Sequence, residues 1–190
     1  MTKLEQKQAL ETILFVATKS LSPKQLAEMI GGCETGLVRE LVSELNAAYE
    51  KTDRVFRIDS VADGLQMHTL PEYKKWAQSL ETVKVIKLSP AVMETLAIIA
   101  YKQPLTRAGI EFIRGVDSSH TIRRLMQQKL VRIVGREMLP GRPGLYGTTK
   151  GFLEVFGLNR LKYLPTLSEL DMDKLPEESQ LELPLESEDE

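Results

Sequence analysis

Apolar residues recur near every 3.6 positions at Leu4, Leu10, Ile13, Leu14 and Ala17, and again at Val92, Leu96, Ile99 and Ala100. Each set predicts an amphipathic helix. The two stretches are copies: Leu10–Ala17 aligns without a gap on Met93–Ala100, sharing Glu-Thr and the final Ala. After a one-residue insertion Leu21-Ser22 falls on Leu105-Thr106, Leu26 on Ile110, Met29 on Ile113, Gly31 on Gly115, Val38 on Ile122 and Leu41 on Leu125. Self-similarity over that span predicts two copies of one module. In each copy a hydroxyl residue, Ser22 before Pro23 or Thr106, suits the N-cap of a second helix, because its oxygen accepts from a free first-turn amide. That helix stops at Gly31-Gly32 or at Gly115, and a third runs over about 35–50 or 118–129.

The hydrophobic period then changes from 3.6 to 2. Val55–Ile58 and Leu65–His68 flank Ala62-Asp63-Gly64, and Val131–Val134 and Leu145–Thr148 flank Pro140-Gly141-Arg142-Pro143-Gly144, so each copy ends in a hairpin. Three short helices and a two-stranded wing make a winged helix. The expected fold is mainly α with small β-hairpins, an α+β class built of tandem winged-helix (helix-turn-helix) modules. The first module spans 1–80, a linker 81–88, the second module 89–165 and an acidic tail 166–190. The tail, rich in Leu, Glu and Asp with Pro176 and Pro184, is expected to be disordered. A short helix from Pro71 is expected to lead into the linker, anchored by Trp76.

Charge separates the copies. The formal net charge is −2, yet residues 1–86 carry −1, residues 87–165 carry +8 and residues 166–190 carry −9. The third helix of the first copy bears Glu40, Glu44 and Glu50 against Arg39 and Lys51, a balance that phosphates repel. In the second copy His120, Arg123, Arg124, Gln127 and Lys129 suit a helix laid in a DNA groove, with Arg132, Arg136 and Arg142 available on the wing. A DNA-binding transcription regulator reading through His120, Arg123 and Arg124 is therefore one candidate function. Against it, Arg123 and Arg124 point about 100° apart on a helix, and an exposed basic face also serves solvation alone.

Other chemistries lack their residues. One cysteine, Cys33, excludes an internal disulfide, and with His68 and His120 it cannot fill a tetrahedral zinc site without carboxylates. No Gly-x-Ser-x-Gly elbow is present, and Gly141-Arg142-Pro143-Gly144 lacks the length and terminal Lys-Ser/Thr of a phosphate-binding loop. No catalysis, metal or cofactor is expected. Apolar runs such as Leu96–Ala100 fall far short of the roughly 20 residues that span a bilayer. With a polar, mixed-charge N-terminus, the chain is expected to be cytoplasmic, with no membrane partner. Tyr101, Tyr146, Phe152 and Phe156 are expected to pack in the core rather than form a stacking platform. What remains is protein binding, with an amphipathic helix or an added strand taken up between helices and wing, and with the acidic first copy suited to self-association.

The second copy carries a series of local motifs: Glu94-Thr95-Leu96-Ala97-Ile98-Ile99-Ala100-Tyr101-Lys102-Gln103-Pro104-Leu105-Thr106-Arg107, Ile113-Arg114-Gly115-Val116, Gly141-Arg142-Pro143, Tyr146-Gly147-Thr148-Thr149, Phe152-Leu153 and Phe156-Gly157-Leu158. In this order they closely resemble the bacterial segregation and condensation protein B family. The first copy resembles it in layout, through Ile13-Leu14-Phe15-Val16 and Leu21-Ser22. The resemblance implies a non-catalytic subunit of the bacterial condensin complex, acting in chromosome condensation and partition. It implies a homodimer formed by the first module, and a second module that binds the kleisin subunit, segregation and condensation protein A. Through the kleisin it would meet the structural maintenance of chromosomes ATPase and, within the complex, DNA at the nucleoid. Motif carry-over places the kleisin-facing surface near Tyr101, Gln103, Pro104, Arg114, Arg142 and Tyr146.

The charge partition makes a prediction of its own. A polyanionic tail shields a basic module most strongly at low salt. Deleting residues 166–190 should raise binding to random duplex DNA at low ionic strength, measured by fluorescence anisotropy, and unchanged binding would make the tail a spacer.

Overall fold

The computed structural model describes residues 1–79 and 85–166 and the strand 182–184, with backbone alone at 85–87 and 182–184. The described chain forms two compact units, Met1–Glu81 with Gly157–Arg160, and Thr82–Phe156 with Leu161–Glu190. Of the expected linker, 81–88, residues 81–84 lie outside the described residues, as do 167–181 and 185–190 of the tail, 166–190, that is expected to be disordered.

In the first unit α1 (Lys3–Val16), α2 (Pro23–Met29) and α3 (Thr35–Lys51) precede a hairpin of β1 (Phe56–Val61) and β2 (Gly64–Thr69). Thr2 opens α1 with a capping box: its hydroxyl accepts from the Glu5 amide at 3.2 Å, and the Glu5 carboxylate accepts from the Thr2 amide at 2.7 Å. Ser22 and Gln25 repeat the device on α2, with Pro23 in the first turn. Gly31 and Gly32, at φ +102° and +75°, end α2.

The helices bury Leu10, Leu14, Leu26, Ile30, Val38, Leu41 and Leu45 in one core, which Ile58 and Leu65 of the hairpin close. Each such side chain contributes about 1.5–3 kcal/mol on leaving water. Tyr49 closes the α3 end of the core and donates its hydroxyl to Glu11 at 2.8 Å; burial, then the neighbouring carboxylate, pushes the phenol pKa up. The hairpin is fastened to α3 by Asn46, whose side chain both donates to the Ile58 carbonyl (2.8 Å) and accepts from the Ile58 amide (2.9 Å). A β-bridge ties the loop before α2 to the wing: Leu21 and Leu65 exchange amide-carbonyl bonds at 3.0 and 2.8 Å.

A 3-10 turn at Pro71–Tyr73 and α4 (Lys74–Gln78) follow the first wing. Trp76 does not anchor this segment: it is 66% exposed, and its ring partner is Tyr73 at 5.9 Å. A five-residue helix is too short to build an apolar stripe able to cover an indole.

In the second unit β3 (Val85–Lys87) leads to α5 (Pro90–Lys102), β4 (Leu105–Thr106), α6 (Arg107–Arg114), α7 (Ser119–Gln127), a wing of β5 (Val131–Arg136) and β6 (Gly144–Thr148), α8 (Lys150–Val155) and β7 (Glu182–Pro184). β3 pairs antiparallel with β7. The helix-helix-helix-wing order of the first unit recurs, so each unit is a winged helix and the α+β fold class holds. Thr106 caps α6 through the Gly109 amide at 3.2 Å, and Gly115 closes it at φ +72°. The Leu21–Leu65 bridge has its counterpart in β4, which makes the sheet three-stranded in the order β4-β6-β5. The core holds Leu88, Val92, Leu96, Ile99, Ile110, Ile122, Leu125, Val131 and Phe152. Phe152 packs against Phe156 with ring centroids 4.6 Å apart. Tyr101, expected in the core, is instead 41% exposed. No described helix is long and apolar enough to cross a membrane.

Two glycines test this packing in opposite directions. A Cβ on Gly64 would lie 2.9 Å from the Leu21 carbonyl oxygen, which is backbone in the bridge and cannot yield, whereas a Cβ on Gly36 in α3 would meet nothing within 4 Å. Gly64→Ala should cost about 1–3 kcal/mol of unfolding free energy, and Gly36→Ala should add roughly 0.5 kcal/mol. Urea denaturation of the two variants measures both.

Candidate functional site

Leu105, Tyr146 and Ile133 are register partners across β4, β6 and β5, and side chains directly opposite one another share a face of the sheet. Tyr146 is half-buried in that row and Ile133 is exposed. Val134, the extra residue of a bulge between Ile133 and Gly135, is exposed as well.

Gln103 sits behind this row as a clip. Its amide nitrogen donates to the Ala100 carbonyl and the Thr148 hydroxyl, both at 3.1 Å, and its oxygen accepts from the Thr148 amide at 2.8 Å. It thereby holds the end of α5 to β6 and packs closely against Gly147, on the face opposite the row: a Cβ on Gly147 would lie 2.8 Å from the Gln103 oxygen and 2.9 Å from Val134. Pro104, next in sequence, is exposed. Tyr101 presents an exposed ring whose hydroxyl donates to the Pro165 carbonyl at 2.7 Å.

Arg114 is a support rather than an outward group. Its side chain is 6% exposed; Nε and Nη2 donate to one Glu94 oxygen at 3.2 and 3.1 Å, and Nη1 donates to the Ser118 hydroxyl at 3.1 Å. Ser118 is fully buried, and its amide donates to Glu111 at 3.3 Å. This charged network fixes the turn between α6 and α7 and hence the angle of both helices. Arg142 lies at the wing tip, exposed, at φ +42°, its carbonyl accepting from Arg136 at 3.2 Å. The six kleisin-facing candidates therefore divide. Gln103 and Arg114 hold the framework, Tyr101, Pro104 and Arg142 are exposed, and Tyr146 is half-buried in the sheet.

Sequence reasoning missed the most conspicuous group. Phe112 on α6 is 90% exposed, and Ile113, Val116, Met138 and Leu139 are exposed too. The signal was present: α6 buries Ile110, and Phe112 stands two residues on, about 200° around the helix from the buried stripe. On α7 the DNA-reading candidates His120 and Arg123 are exposed and Arg124 is half-buried. At 100° per residue these three and Gln127 occupy one arc of roughly 100°. Among the described residues no cluster of three His, Cys, Asp or Glu side chains is arranged to hold a metal ion.

In the first unit α1 leaves Leu4 and Phe15 exposed. Eleven residues separate them, so they lie about 20° apart on the helix and share a face.

Comparison with known proteins gives this surface a context. The family model of "Segregation and condensation complex subunit ScpB" matches residues 8–167. Segregation and condensation protein B of Syntrophotalea carbinolica is 43% identical over 89% of this chain and 85% of its own length. The protein of that name from Moorella thermoacetica is 46% identical over 85% and 83%. The crystal structure of ScpB from Mycobacterium tuberculosis is 27% identical over 83% of this chain and 98% of that one, at a TM-score of 0.39, and the fold rests here on the chain's own topology. With a family model spanning both winged helices and relatives this similar over most of their lengths, the chain belongs to the family of the segregation and condensation complex subunit ScpB.

Proposed function

We propose that this chain works as a homodimeric scaffold that holds a kleisin subunit, segregation and condensation protein A, and through it reaches the structural maintenance of chromosomes ATPase. Family membership makes it a non-catalytic subunit concerned with chromosome segregation and condensation. In this reading the first winged helix pairs two chains and the second receives the kleisin.

The observation that carries the reading is Phe112. A 90% exposed phenylalanine, with exposed Ile113 and Val116 beside it, forfeits its burial energy unless a partner covers it. The α6–α7 turn beneath it is held by the Arg114 network, so the surface is presented already ordered and binding costs little rearrangement. Tyr101, Pro104, Arg142 and Tyr146 extend the contact, while Gln103 and Arg114 support it from behind. The pair of apolar residues on α1, Leu4 and Phe15, suits a symmetric helix contact between two chains.

A second reading, direct DNA binding by the second module, draws on the α7 arc of His120, Arg123, Arg124 and Gln127. Its signature is distinct: affinity carried by phosphates falls steeply with salt, whereas apolar docking does not.

Isothermal titration against peptides tiled along the central region of the kleisin, with random duplex DNA in parallel at physiological salt, separates the two. The scaffold reading expects saturable peptide binding that Phe112→Asp weakens at least tenfold while Tm stays unchanged. Arg123→Ala should leave peptide affinity intact. Sequence-selective DNA binding without peptide binding would reverse the assignment. For the first module, Leu4→Glu with Phe15→Glu should convert dimer to monomer in sedimentation velocity, and a persisting dimer would move the contact elsewhere.

A further inference from the structure

The β1–β2 turn is only two residues long, Ala62 and Asp63, with φ of +52° and +57°. A turn of this left-handed type matches the twist of a hairpin, but asparagine or glycine normally fills it. It turns the Ala62 and Asp63 amides away from the ladder, leaving two donors and a carboxylate at the wing tip. A hairpin tip is ordinarily wet, yet Ala62 is 5% exposed.

The cover comes from residues almost a hundred positions later that belong to the same unit. The Ala62 amide donates to the Leu158 carbonyl at 2.9 Å. The Asp63 amide donates to both the backbone and side-chain oxygens of Asn159, at 3.2 and 3.0 Å. Arg160 Nε donates to the Asp63 carboxylate at 2.6 Å. Asn159 and Arg160 also line a cleft shared with Arg39, Glu50, Asp59 and Asp63. The second wing has no such tip, since seven residues separate β5 from β6.

We infer that the first wing tip is a receptor for the chain's own Leu158-Asn159-Arg160 segment, and that this contact is a reversible latch. Recognition is by a bent segment offering a carbonyl, a carboxamide and a guanidinium in consecutive residues, matched to two amides and a carboxylate. It is reversible because its ion pair is exposed on both sides, 59% and 61%, where salt screens it. Local opening of such a contact leaves the core intact.

Two measurements on the full-length protein test it. In an Arg160→Lys variant, which keeps the charge, a zero-length carbodiimide should join the new amine to Asp63. Mass spectrometry of mixed light and heavy isotope-labelled chains should find that cross-link within single chains only. Amide exchange should show Ala62 and Asp63 protected in the wild type and exchanging at least fivefold faster in Arg160→Ala or in 0.5 M salt, with Leu41 unchanged. Absence of the 63–160 cross-link, mixed light–heavy pairs, or unchanged protection in Arg160→Ala would each overturn the latch.

Discussion

Each module depends on one short β-contact between the segment before its second helix and its wing. In the first it is the reciprocal bond pair of Leu21 and Leu65; in the second it is β4 against β6. A two-stranded hairpin alone is marginal in water, and this contact adds backbone bonds that tie it to the helices. With it, the hairpin becomes the wall of a core, and Ile58 and Leu65 have helices to pack on. Gly64 stands where a side chain would press on the Leu21 backbone, which is why its missing side chain is structural rather than a concession to flexibility.

The two copies keep this frame and differ in what they put on it. The first spends its third helix on Tyr49, Asn46 and a carboxylate-rich outer face, closed by ion pairs such as Lys3 with Glu40 and Lys7 with Glu44. The second shortens that helix to nine residues, gives it cationic side chains, and places exposed apolar residues on α6 and at the wing. The two copies are thus scaffolds of like helix-helix-helix-wing order whose surfaces differ. The fold alone does not say which does what.

Much of this was legible in the sequence because burial imposes period. Leu26, Ile110, Val38 and Ile122 recur at matched offsets because each fills the same place in its core, and Ser22 and Thr106 stand out because helix ends leave amides that need an acceptor. What period does not encode stayed hidden. β4 is two residues long and has no alternation to detect. Trp76 suggested an anchor because indoles are usually covered. Arg114 was counted among surface groups because arginines mostly are, and only its partners in the fold, Ser118 one turn away and Glu94 on another helix, show that its side chain is buried. Phe112 was missed for the converse reason, since an aromatic off the apolar stripe carries no periodic signal.

The unequal wing tips carry an evolutionary consequence. A two-residue reversal has no slack, so an added residue would displace the whole hairpin register and turn every side chain of one strand to the wrong face. The seven-residue tip of the second wing, by contrast, is joined to its strands beyond a bulge that already absorbs an offset. That tip can lengthen, shorten or change charge with little cost to the core, a freedom the two-residue tip of the first wing does not have.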